Sequence, residues 1–338
     1  MIFIADIGSN HDCKLERAKT LIKLAKDSGA GAVKFQLFRA DTLINGEQFR
    51  KLQRQAHQKD WKESVYQTYK NYEMPVDWIP VLADECKRNE VLFMCTGYDL
   101  SMIDEIDKCV MIHKIGSGDI TYAEMLLKVA SKGKLALLAT GASSLQEVIV
   151  AVNIYQSKNP QLGLMQCNTN YTGEINVKNI NVNVLKLYKT LFPELPIGLS
   201  DHTKNNKTVL AAQALGAQWI ERHFTDGKSE SPDNDFSLDP FQWKYMITEC
   251  QEMASILGNT FKEVQTNEYD TNVIQRRAWY PKRDLKAGTV IEPKDIVALR
   301  PAIGINPLMN IAGLKLEKDI SKDEPFTEIH FKDKNVKQ

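Results

Sequence analysis

The sequence has no surplus of either charge, because it carries 43 lysines and arginines against 43 aspartates and glutamates in 338 residues. It therefore lacks the basic excess typical of proteins that bind nucleic acid or anionic membranes, and we expect neither partner. A local basic pocket for a small anion stays compatible with these numbers, since net charge does not report how charges are distributed. With 43% apolar residues, the chain can bury a sizeable core.

Closely spaced cysteine pairs and long apolar runs are also missing. The six cysteines form no CxxC pair, and Cys95, Cys109 and Cys167 lie in apolar segments, where we expect small buried hydrophobic residues. The N-terminal run 1–6 is apolar for only a few residues and lacks a basic leader, and no segment approaches a membrane span. We therefore expect no signal peptide and a cytoplasmic location.

The first two-thirds of the chain alternates between strand-like and helix-like segments. The predicted strands are Ile2–Asp6, Ala32–Leu37, Val91–Cys95, Val110–Ile115, Leu135–Thr140, Gly163–Cys167, Ile197–Ser200 and Trp219–Phe224. The predicted helices are Leu15–Ala30, Pro80–Glu90, Ser101–Lys108, Ala123–Ser131, Ser144–Gln156, Val182–Phe192, Lys207–Leu215 and Pro240–Leu257. Eight such units in about 257 residues predict a (β/α)₈ barrel, the TIM barrel. The alternative is a doubly wound open sheet, which the lack of a GxGxxG motif after the first strand disfavours.

Two parts of the chain break this rhythm. The polar segment Arg39–Glu73 predicts an extended loop at the mouth of the barrel, where it would serve as a lid. After Gly258 the pairing of strands with helices stops. We predict a barrel domain at 1–258, a polar linker at 259–275, and a small, mostly β module at 276–338. A module of about 60 residues has only a small core of its own, so we expect it to dock against another surface.

Two histidines follow the last two predicted strands at equivalent points, in Leu199-Ser200-Asp201-His202-Thr203 and Ile220-Glu221-Arg222-His223-Phe224-Thr225. Neighbouring parallel strands lie about 4.8 Å apart, so both imidazoles are expected at the same end of the sheet. Without cysteine or a clear third carboxylate, the pair favours a six-coordinate ion that keeps several waters, such as Mn²⁺, over a closed structural zinc site. The alternative is that one or both are ordinary polar residues at strand ends.

Two lysines are predicted to point into the barrel. Lys34 and Gln36 are two residues apart and share one strand face, and Lys114 repeats the arrangement. A buried lysine is costly unless it meets an anion. Together with the turn Gly116-Ser117-Gly118, the lysines suit a small phosphorylated carboxylate. The alternative is that they are strand-end lysines whose ammonium groups reach solvent.

In series, five segments of the chain resemble the sialic acid synthase family. They are Ala5-Asp6-Ile7-Gly8-Ser9-Asn10-His11, Val33-Lys34-Phe35-Gln36, Lys114-Ile115-Gly116-Ser117-Gly118-Asp119, Gly198–Thr203 and Ile220–Thr225. The C-terminal part, through Arg276-Arg277 and Leu299-Arg300-Pro301, resembles the antifreeze-like (SAF) domain that follows the barrel in these synthases. The resemblance implies an enzyme that condenses phosphoenolpyruvate with an N-acetylated hexosamine, either N-acetylmannosamine or a related bacterial amino sugar. The product would be a nine-carbon 2-keto sugar acid, with release of phosphate.

The resemblance also implies roles for individual residues. The catalytic groups would be Asp6, Lys34, Lys114 and Asp119, and the metal ligands would be His202 and His223. The ion would be Mn²⁺, with Mg²⁺ or Co²⁺ as alternatives, and would polarise the aldehyde of the open-chain sugar. Substrate contacts would come from Gln36, Thr96, Ser117, Thr140, Asn170, Tyr171, Ser200, Asp233 and Arg300. The implied assembly is a domain-swapped homodimer, in which Arg300 reaches into the barrel of the partner.

Some positions depart from the pattern of this family. Asp6 stands where glutamate is usual, Ala139 stands where serine is expected, and Ser231 and Asn234 replace glycine and histidine. The segment Asn168–Thr172 leaves the match of the family's asparagine ambiguous. The changes on the sugar side suggest an unusual acceptor, such as a bacterial diamino-sugar precursor, while the lysines and histidines are retained. Two alternatives stay open. One is a synthase that acts on another aldose, in the manner of octulosonate or heptulosonate synthases; the other is a catalytically silent carbohydrate-binding protein.

Overall fold

The chain divides into two units, Met1–Gly258 and Asn259–Gln338. The computed structural model describes residues 1–52, 58, 61–171 and 177–332. Each unit has its own buried apolar core. In the described part of the chain, no helix combines the length and the apolar character needed to cross a membrane.

Eight parallel strands form a closed barrel in the first unit. They are β1 (Ile2–Gly8), β2 (Ala32–Leu37), β3 (Leu92–Gly97), β4 (Ile112–Ile115), β5 (Leu135–Ala139), β6 (Leu162–Cys167), β7 (Ile197–Asp201) and β8 (Trp219–His223). Each strand pairs with the next one along the chain, and β1 pairs with β8, where Asp6 lies opposite His223. The predicted TIM barrel is confirmed. An open sheet is excluded, because the sheet closes on itself.

Helices surround the barrel. In chain order the helices of the first unit are α1 (Leu15–Asp27), α2 (Ala40–Leu43), α3 (Gly46–Lys51), α4 (Val65–Asn71), α5 (Trp78–Arg88), α6 (Ile103–Asp107), α7 (Ala123–Ala130), α8 (Leu145–Gln156), α9 (Val184–Leu191), α10 (Lys207–Ala214) and α11 (Pro240–Leu257). Helix α1 buries Ala18, Leu21, Ile22 and Ala25, a spacing that places one apolar stripe against the sheet. Helix α8 begins at a capping box, in which the Ser144 hydroxyl accepts a backbone N–H bond.

Alternate strand residues fill the interior of the barrel in layers. The layers toward the start of the strands are apolar and include Ile4, Ala32, Met94, Ile112, Leu137 and Trp219. Successive side chains of a strand point to opposite faces, so the residue two positions further along points inward again. On five of these six strands the inward residue of that next layer is polar or charged. The barrel is therefore packed at one end and polar at the other.

The segment Arg39–Glu73 is partly helical, so the prediction of an extended loop is wrong for its described part. It contains α2, α3 and α4. The last two begin after Asn45 and Ser64, whose side chains accept backbone N–H bonds at the first turn. Residues 53–57 and 59–60 of this segment lie outside the described residues, and its role as a lid stays a prediction.

The second unit consists of short strands and turns. Strands β9 (Ala278–Pro281) and β10 (Ile296–Leu299) pair antiparallel. The core of the unit contains Leu285, Ile291, Ile305, Ile311, Leu316, Ile320, Phe326 and Phe331. Helix α12 (Tyr269–Ile274) lies inside the segment predicted as a linker, so that segment is not wholly irregular.

Candidate active site

A layer of polar and charged side chains lies at the carboxyl ends of the barrel strands. Its buried members are Asp6, Lys34, Thr96, Lys114, Ser200 and Glu221, each at most 5% exposed. In TIM barrels this end of the sheet carries the active site. The structure places both predicted lysines inside the barrel. Their roles in binding a substrate stay a prediction.

Asp6 and Lys34 form a buried ion pair. Asp6 Oδ2 lies 2.7 Å from Lys34 Nζ and accepts a hydrogen bond from Gln36 Nε2 at 3.0 Å. Burial by itself raises the pKa of Asp6, but the charges of Lys34 and His223 and the hydrogen bonds lower it to about 2. Burial likewise lowers the pKa of Lys34, yet the neighbouring carboxylates raise it above its ordinary value. Both groups are therefore charged at neutral pH.

Glu221 is a site residue that the sequence reasoning missed. Its Oε1 accepts a hydrogen bond from Ser200 Oγ at 3.0 Å and lies 3.6 Å from Lys114 Nζ. Its Oε2 lies 4.0 Å from Lys34 Nζ and has no hydrogen-bond partner among the described residues. Burial lowers the pKa of Lys114, against the opposing charge of Glu221. The available signal was strand alternation, because Glu221 lies two residues before His223 on β8 and must share its face.

Hydroxyl and backbone groups lie beside the lysines. Thr96 Oγ1 is 3.4 Å from Lys34 Nζ, and Ser117 Oγ accepts a hydrogen bond from the backbone N–H of Gly141 at 2.9 Å. A Cβ atom at Gly141 would lie 2.5 Å from the Thr169 methyl group and 2.9 Å from Ser117 Oγ. Glycine is therefore required where the β5 loop approaches the Ser117 turn.

Thr140 does not lie with the lysines and hydroxyl groups described above. Its hydroxyl donates to the carbonyl of Met165 at 3.1 Å and accepts from the hydroxyl of Tyr188 at 2.8 Å. Tyr188 belongs to α9, so these contacts lie behind the sheet. The prediction that Thr140 contacts a substrate has only the sequence resemblance behind it.

The two histidines predicted as metal ligands lie side by side at the rim of the barrel. Their ring centroids are 5.5 Å apart, and each residue is 5% exposed. His202 Nδ1 lies 2.9 Å from the carbonyl oxygen of Asn168. A carbonyl can only accept, so Nδ1 carries the proton and the lone pair is on Nε2. Burial by itself raises the pKa of the Cys167 thiol, but a hydrogen bond with the His202 side chain helps to lower it below its ordinary value. His223 Nδ1 is buried and has no hydrogen-bond partner in the described part of the chain.

These histidines fit a divalent cation with open coordination positions. The carbonyl bond to His202 is the kind of contact that orients a metal-binding imidazole. The described residues contain no group of three or more histidine, cysteine or acidic side chains placed to hold a metal. Two protein nitrogens would leave coordination positions open for water or substrate, unlike a closed structural site.

Aromatic rings form a wall around the histidines. The ring centroid of Tyr171 is 4.2 Å from that of His202, and the ring of Phe236 is 4.8 Å from that of His223. Burial raises the pKa of Tyr171 well above its ordinary value, so its hydroxyl stays neutral. Asn170, the preceding predicted contact, is exposed. Thr172, the last residue of the segment Asn168–Thr172 that departs from the family's pattern, lies outside the described residues.

Asp119 is a carboxyl group with an unusual environment. It lies on the short 3₁₀ turn Ser117–Asp119 that follows β4. Its Oδ2 is buried and lacks a hydrogen-bond partner among the described residues, and burial raises its pKa to about 6. A carboxyl group that titrates this close to neutral pH can give or take a proton during a reaction.

The loops after β1 and β8 meet at Asp233. Its Oδ2 accepts bonds from the backbone N–H and the hydroxyl of Ser9, at 2.8 Å and 2.7 Å. The hydroxyl of Ser231 accepts from the Asp233 N–H at 3.1 Å and lies 2.5 Å from that of Ser9. Asn234 Oδ1 accepts from the Thr225 hydroxyl at 2.7 Å. The two positions that depart from the family pattern here thus help to hold this loop.

A cavity of about 820 Å³ opens beside these residues. Its lining includes Trp61, Thr68, Tyr72, Tyr171, Ser231 and Phe236. The volume is within the range of small-molecule sites, and the mixture of rings and hydroxyl groups suits a sugar. Part of the wall comes from the segment Arg39–Glu73, including Thr68 of α4.

Arg300 belongs to the second unit. It is exposed and follows β10 directly. Its predicted reach into the barrel of a partner subunit stays a prediction.

Comparison with known proteins identifies several similar to this chain over most of its length. Residues 21–262 match the sequence profile of the NeuB family. The chain is 35% identical to the N,N′-diacetyllegionaminic acid synthase of Legionella pneumophila, over 94% of this chain and 91% of that protein. It is 32% identical to the synthase of the same name from Campylobacter jejuni, over 97% and 99% of the two chains. A solved N-acetylneuraminic acid synthetase from Leptospira borgpetersenii, in complex with citrate, is similar with a TM-score of 0.69 and 28% identity, covering 80% of this chain and 89% of that one.

Proposed function

Because the chain belongs to the NeuB family, we propose that it is a nonulosonate synthase that condenses phosphoenolpyruvate with an N-acetylated hexosamine. In this reaction, C3 of phosphoenolpyruvate forms a bond to the aldehyde carbon of the open-chain sugar. Water adds at C2, and phosphate leaves as the C–O bond breaks. The product is a nine-carbon 2-keto sugar acid.

The observation that supports this proposal is the meeting of two buried lysines and two adjacent histidines at one rim of the barrel. Lys34 and Lys114 both lie within 4.0 Å of the same carboxylate, Glu221, and their side chains are 3% exposed. Asp6 and Glu221 balance the charges of these two ammonium groups, and the lysine N–H donors also suit a ligand with two anionic groups. Phosphoenolpyruvate carries both a phosphate and a carboxylate, and we assign one anionic group to each lysine.

Neighbouring groups would complete the seat for phosphoenolpyruvate. The Thr96 hydroxyl lies beside Lys34, and Ser117 with the Gly141 N–H provides polar groups on the adjacent turn. Gln36 and Ser200 bond to the two carboxylates of the layer, Asp6 and Glu221, and so fix their orientation. The lysines hold the enol in one position, which lowers the entropic cost of bringing the two substrates together.

Asp6 and Asp119 would have different tasks. With a pKa of about 2, Asp6 is a weak base, so we assign it to stabilising positive charge at C2 and to orienting the attacking water. With a pKa of about 6, Asp119 is better matched to exchanging a proton with the acceptor sugar near neutral pH. The different environments of the two carboxyl groups support this division.

His202 and His223 would hold a divalent cation, Mn²⁺ or alternatively Mg²⁺ or Co²⁺. Such an ion, when bound, supplies Lewis acidity toward a carbonyl oxygen. The Asn168 carbonyl keeps His202 in the tautomer whose lone pair is on Nε2, the nitrogen that would bind the ion. Tyr171 and Phe236 restrict the motion of both rings by packing on them.

The acceptor would bind in the cavity beside the histidines. Asp233 and Tyr171 lie on this side, and both curated relatives compared above are named as N,N′-diacetyllegionaminic acid synthases. We therefore favour a bacterial diacetamido sugar over N-acetylmannosamine as the acceptor. The second unit would act as a SAF domain whose Arg300 enters the site of a partner subunit in a domain-swapped homodimer.

The test is phosphate release from phosphoenolpyruvate with a panel of aldoses at fixed Mn²⁺, followed by mass spectrometry of the product. A nine-carbon product from a diacetamido sugar or N-acetylmannosamine supports the proposal. An eight- or seven-carbon product would indicate a synthase for another aldose. No phosphate release with any acceptor would favour a carbohydrate-binding protein without this activity.

The histidines provide the second test. Loss of a group that only orients a metal ligand typically reduces activity roughly 10- to 100-fold. His202→Ala and His223→Ala remove a ligand itself, so each should reduce the rate of phosphate release by more than that. His113→Gln is the control, because His113 faces away from the site and pairs with Asp107 at 3.0 Å. Near-normal activity in His202→Ala would refute the metal assignment.

A further inference from the structure

Directly before each proposed metal ligand lies one member of a buried ion pair. Asp201 on β7 and Arg222 on β8 are Cα partners in the register of the two strands. Arg222 Nε lies 3.4 Å from Asp201 Oδ2, and the side chains are 1% and 0% exposed. Because side chains alternate along a strand, this pair lies behind the sheet while His202 and His223 face the site.

Asp201 holds the turn that carries His202. Its carboxylate accepts hydrogen bonds from the Thr203 N–H at 3.2 Å, the Thr203 hydroxyl at 2.9 Å and the Thr208 hydroxyl at 2.8 Å. Thr203 lies just after the histidine, and Thr208 lies in α10. The carboxylate therefore fastens both ends of the segment that connects β7 to the helix.

Arg222 connects this turn to the strand that carries His223. Its Nη1 donates to Asn206 Oδ1 at 3.1 Å, within the same turn. Asn206 Nδ2 in turn donates to Glu249 Oε2 on α11 at 2.5 Å. The network thus links β7, β8, the turn between β7 and α10, and the outer helix.

Stability alone does not account for this pair. Burying two charges costs solvation energy, and apolar residues of similar volume are often no less stable at such positions. What an apolar pair cannot supply is a set of directional bonds to the backbone and hydroxyl groups next to a histidine. A device that fixes geometry accounts for both the location and the partners of the pair.

We propose that the Asp201–Arg222 pair is a positioning device that fixes His202 relative to His223, and thereby sets the affinity of the site for a divalent cation. This inference rests on the proposed metal site. Neither residue touches a substrate, so the effect is exerted through the two histidines alone.

The experiment measures Mn²⁺ binding by the full chain, using the electron paramagnetic resonance signal of free Mn²⁺, together with urea unfolding. The double variant Asp201→Leu with Arg222→Met replaces the pair by apolar residues without leaving a single buried charge. It should fold with some loss of stability, because the Thr203 N–H and the Thr203 and Thr208 hydroxyls lose their acceptor. Its Mn²⁺ affinity should fall roughly 10- to 100-fold, as for the loss of groups that orient a metal ligand. Arg222→Lys keeps the charge but not the fork of donors, and its affinity should lie between those of the double variant and the unaltered chain.

Lys134→Met is the matched control. Lys134 pairs with Asp107 at 3.0 Å, just before β5 at the opposite end of the barrel. This variant should bind Mn²⁺ as the unaltered chain does.

Unchanged Mn²⁺ affinity in the folded double variant would overturn the inference. If the double variant does not fold, unchanged affinity in Arg222→Lys would overturn it equally. Failure of the proposed metal site looks different, because His202→Ala would then bind Mn²⁺ as well as the unaltered chain.

Discussion

Four ionisable side chains at the polar end of the barrel lie close enough for their charges to interact. Asp6, Lys34, Lys114 and Glu221 lie in one buried layer, and their formal charges cancel. Two buried ammonium groups alone would repel each other and lose protons. The carboxylates oppose this loss, and at Lys34 they raise the pKa above its ordinary value. The opposite pKa directions of Lys34 and Lys114 show that Asp6 favours one lysine over the other.

Asp119 should reduce the stability of the fold above neutral pH. Its pKa is raised to about 6, so the folded state holds a proton that the unfolded state releases near pH 4. Its contribution to the free energy of unfolding therefore falls as pH rises from about 4 to 6. Asp119→Asn should then be more stable than the unaltered chain at pH 8, by about 1 kcal/mol after allowance for partial exposure. Urea unfolding at pH 5 and pH 8 measures this, and the gain should shrink at pH 5.

The control for Asp119 is Asp99, a carboxyl group whose pKa is lowered in the folded protein. Hydrogen bonds from Ser101 lower the pKa of Asp99, so its ionised form favours the folded state at neutral pH. Asp99→Asn should reduce stability at pH 8, with a smaller effect as pH falls. A gain in stability at pH 8 from both variants, or from neither, would contradict the assignment of Asp119.

The sequence predicts which face of the sheet a side chain points to when the residues concerned lie on one strand. Lys34 and Gln36 were expected to share a face because they are two residues apart, and both now bond to Asp6. The partners themselves come from neighbouring strands, and register is not visible in a single sequence. Strand alternation with His223 indicates that Glu221 points inward, but its contact with Lys114, more than 100 residues away, cannot be derived from the sequence.

At the scale of elements, the sequence predicts the presence of a strand better than the residues at which it begins and ends. All eight apolar runs formed strands, but β3 begins at Leu92 and extends to Gly97, two residues beyond the predicted end. Thr96 thus lies inside the sheet. The short helices α2 to α4 were missed because segments of four to seven residues show too little periodicity. Their caps, Asn45 and Ser64, were the only signals present.

The turn Pro232–Phe236 offers a test of how an element positions a single carboxylate. Ser231 caps this turn by accepting the Asp233 N–H bond, and its hydroxyl also contacts Ser9. Loss of such a cap costs about 1 kcal/mol, which corresponds to a change of roughly fivefold in an equilibrium constant. Ser231→Ala should therefore raise the KM for the acceptor sugar by roughly fivefold and leave the KM for phosphoenolpyruvate unchanged.

Steady-state kinetics with each substrate varied in turn would measure this difference. Ser255→Ala is the matched control, because its hydroxyl bonds only to the Gln251 carbonyl on α11 among the contacts described. An equal rise in both KM values would indicate a general loss of order rather than a role on the sugar side.

At the scale of the whole molecule, the proposed homodimer makes a quantitative prediction. Arg300 lies in the second unit, and we propose that it serves the barrel of the partner subunit. An equal mixture of inactive Lys34→Ala and Arg300→Ala chains, unfolded and refolded together, would then contain hybrid dimers with one intact site. Such a mixture should recover about a quarter of the unaltered activity, because half the dimers are hybrids with one working site of two.

Activity assays before and after mixing measure this recovery. If Arg300 served its own barrel, no dimer in the mixture would contain a complete site, and activity would stay at the level of the separate variants. The unaltered chain, unfolded and refolded under the same conditions, is the control for losses during refolding.

The pairing of Asp6 with His223 has a consequence for how the protein matures during synthesis. These residues lie opposite each other where the first strand of the barrel meets the last. On the ribosome, β1 emerges early and can pair with β2, but more than 200 further residues must follow before its second neighbour, β8, exists. A nascent chain that lacks β8 cannot form this site. The ability to bind a substrate there should therefore appear in one step, when β8 pairs with β1 and closes the barrel.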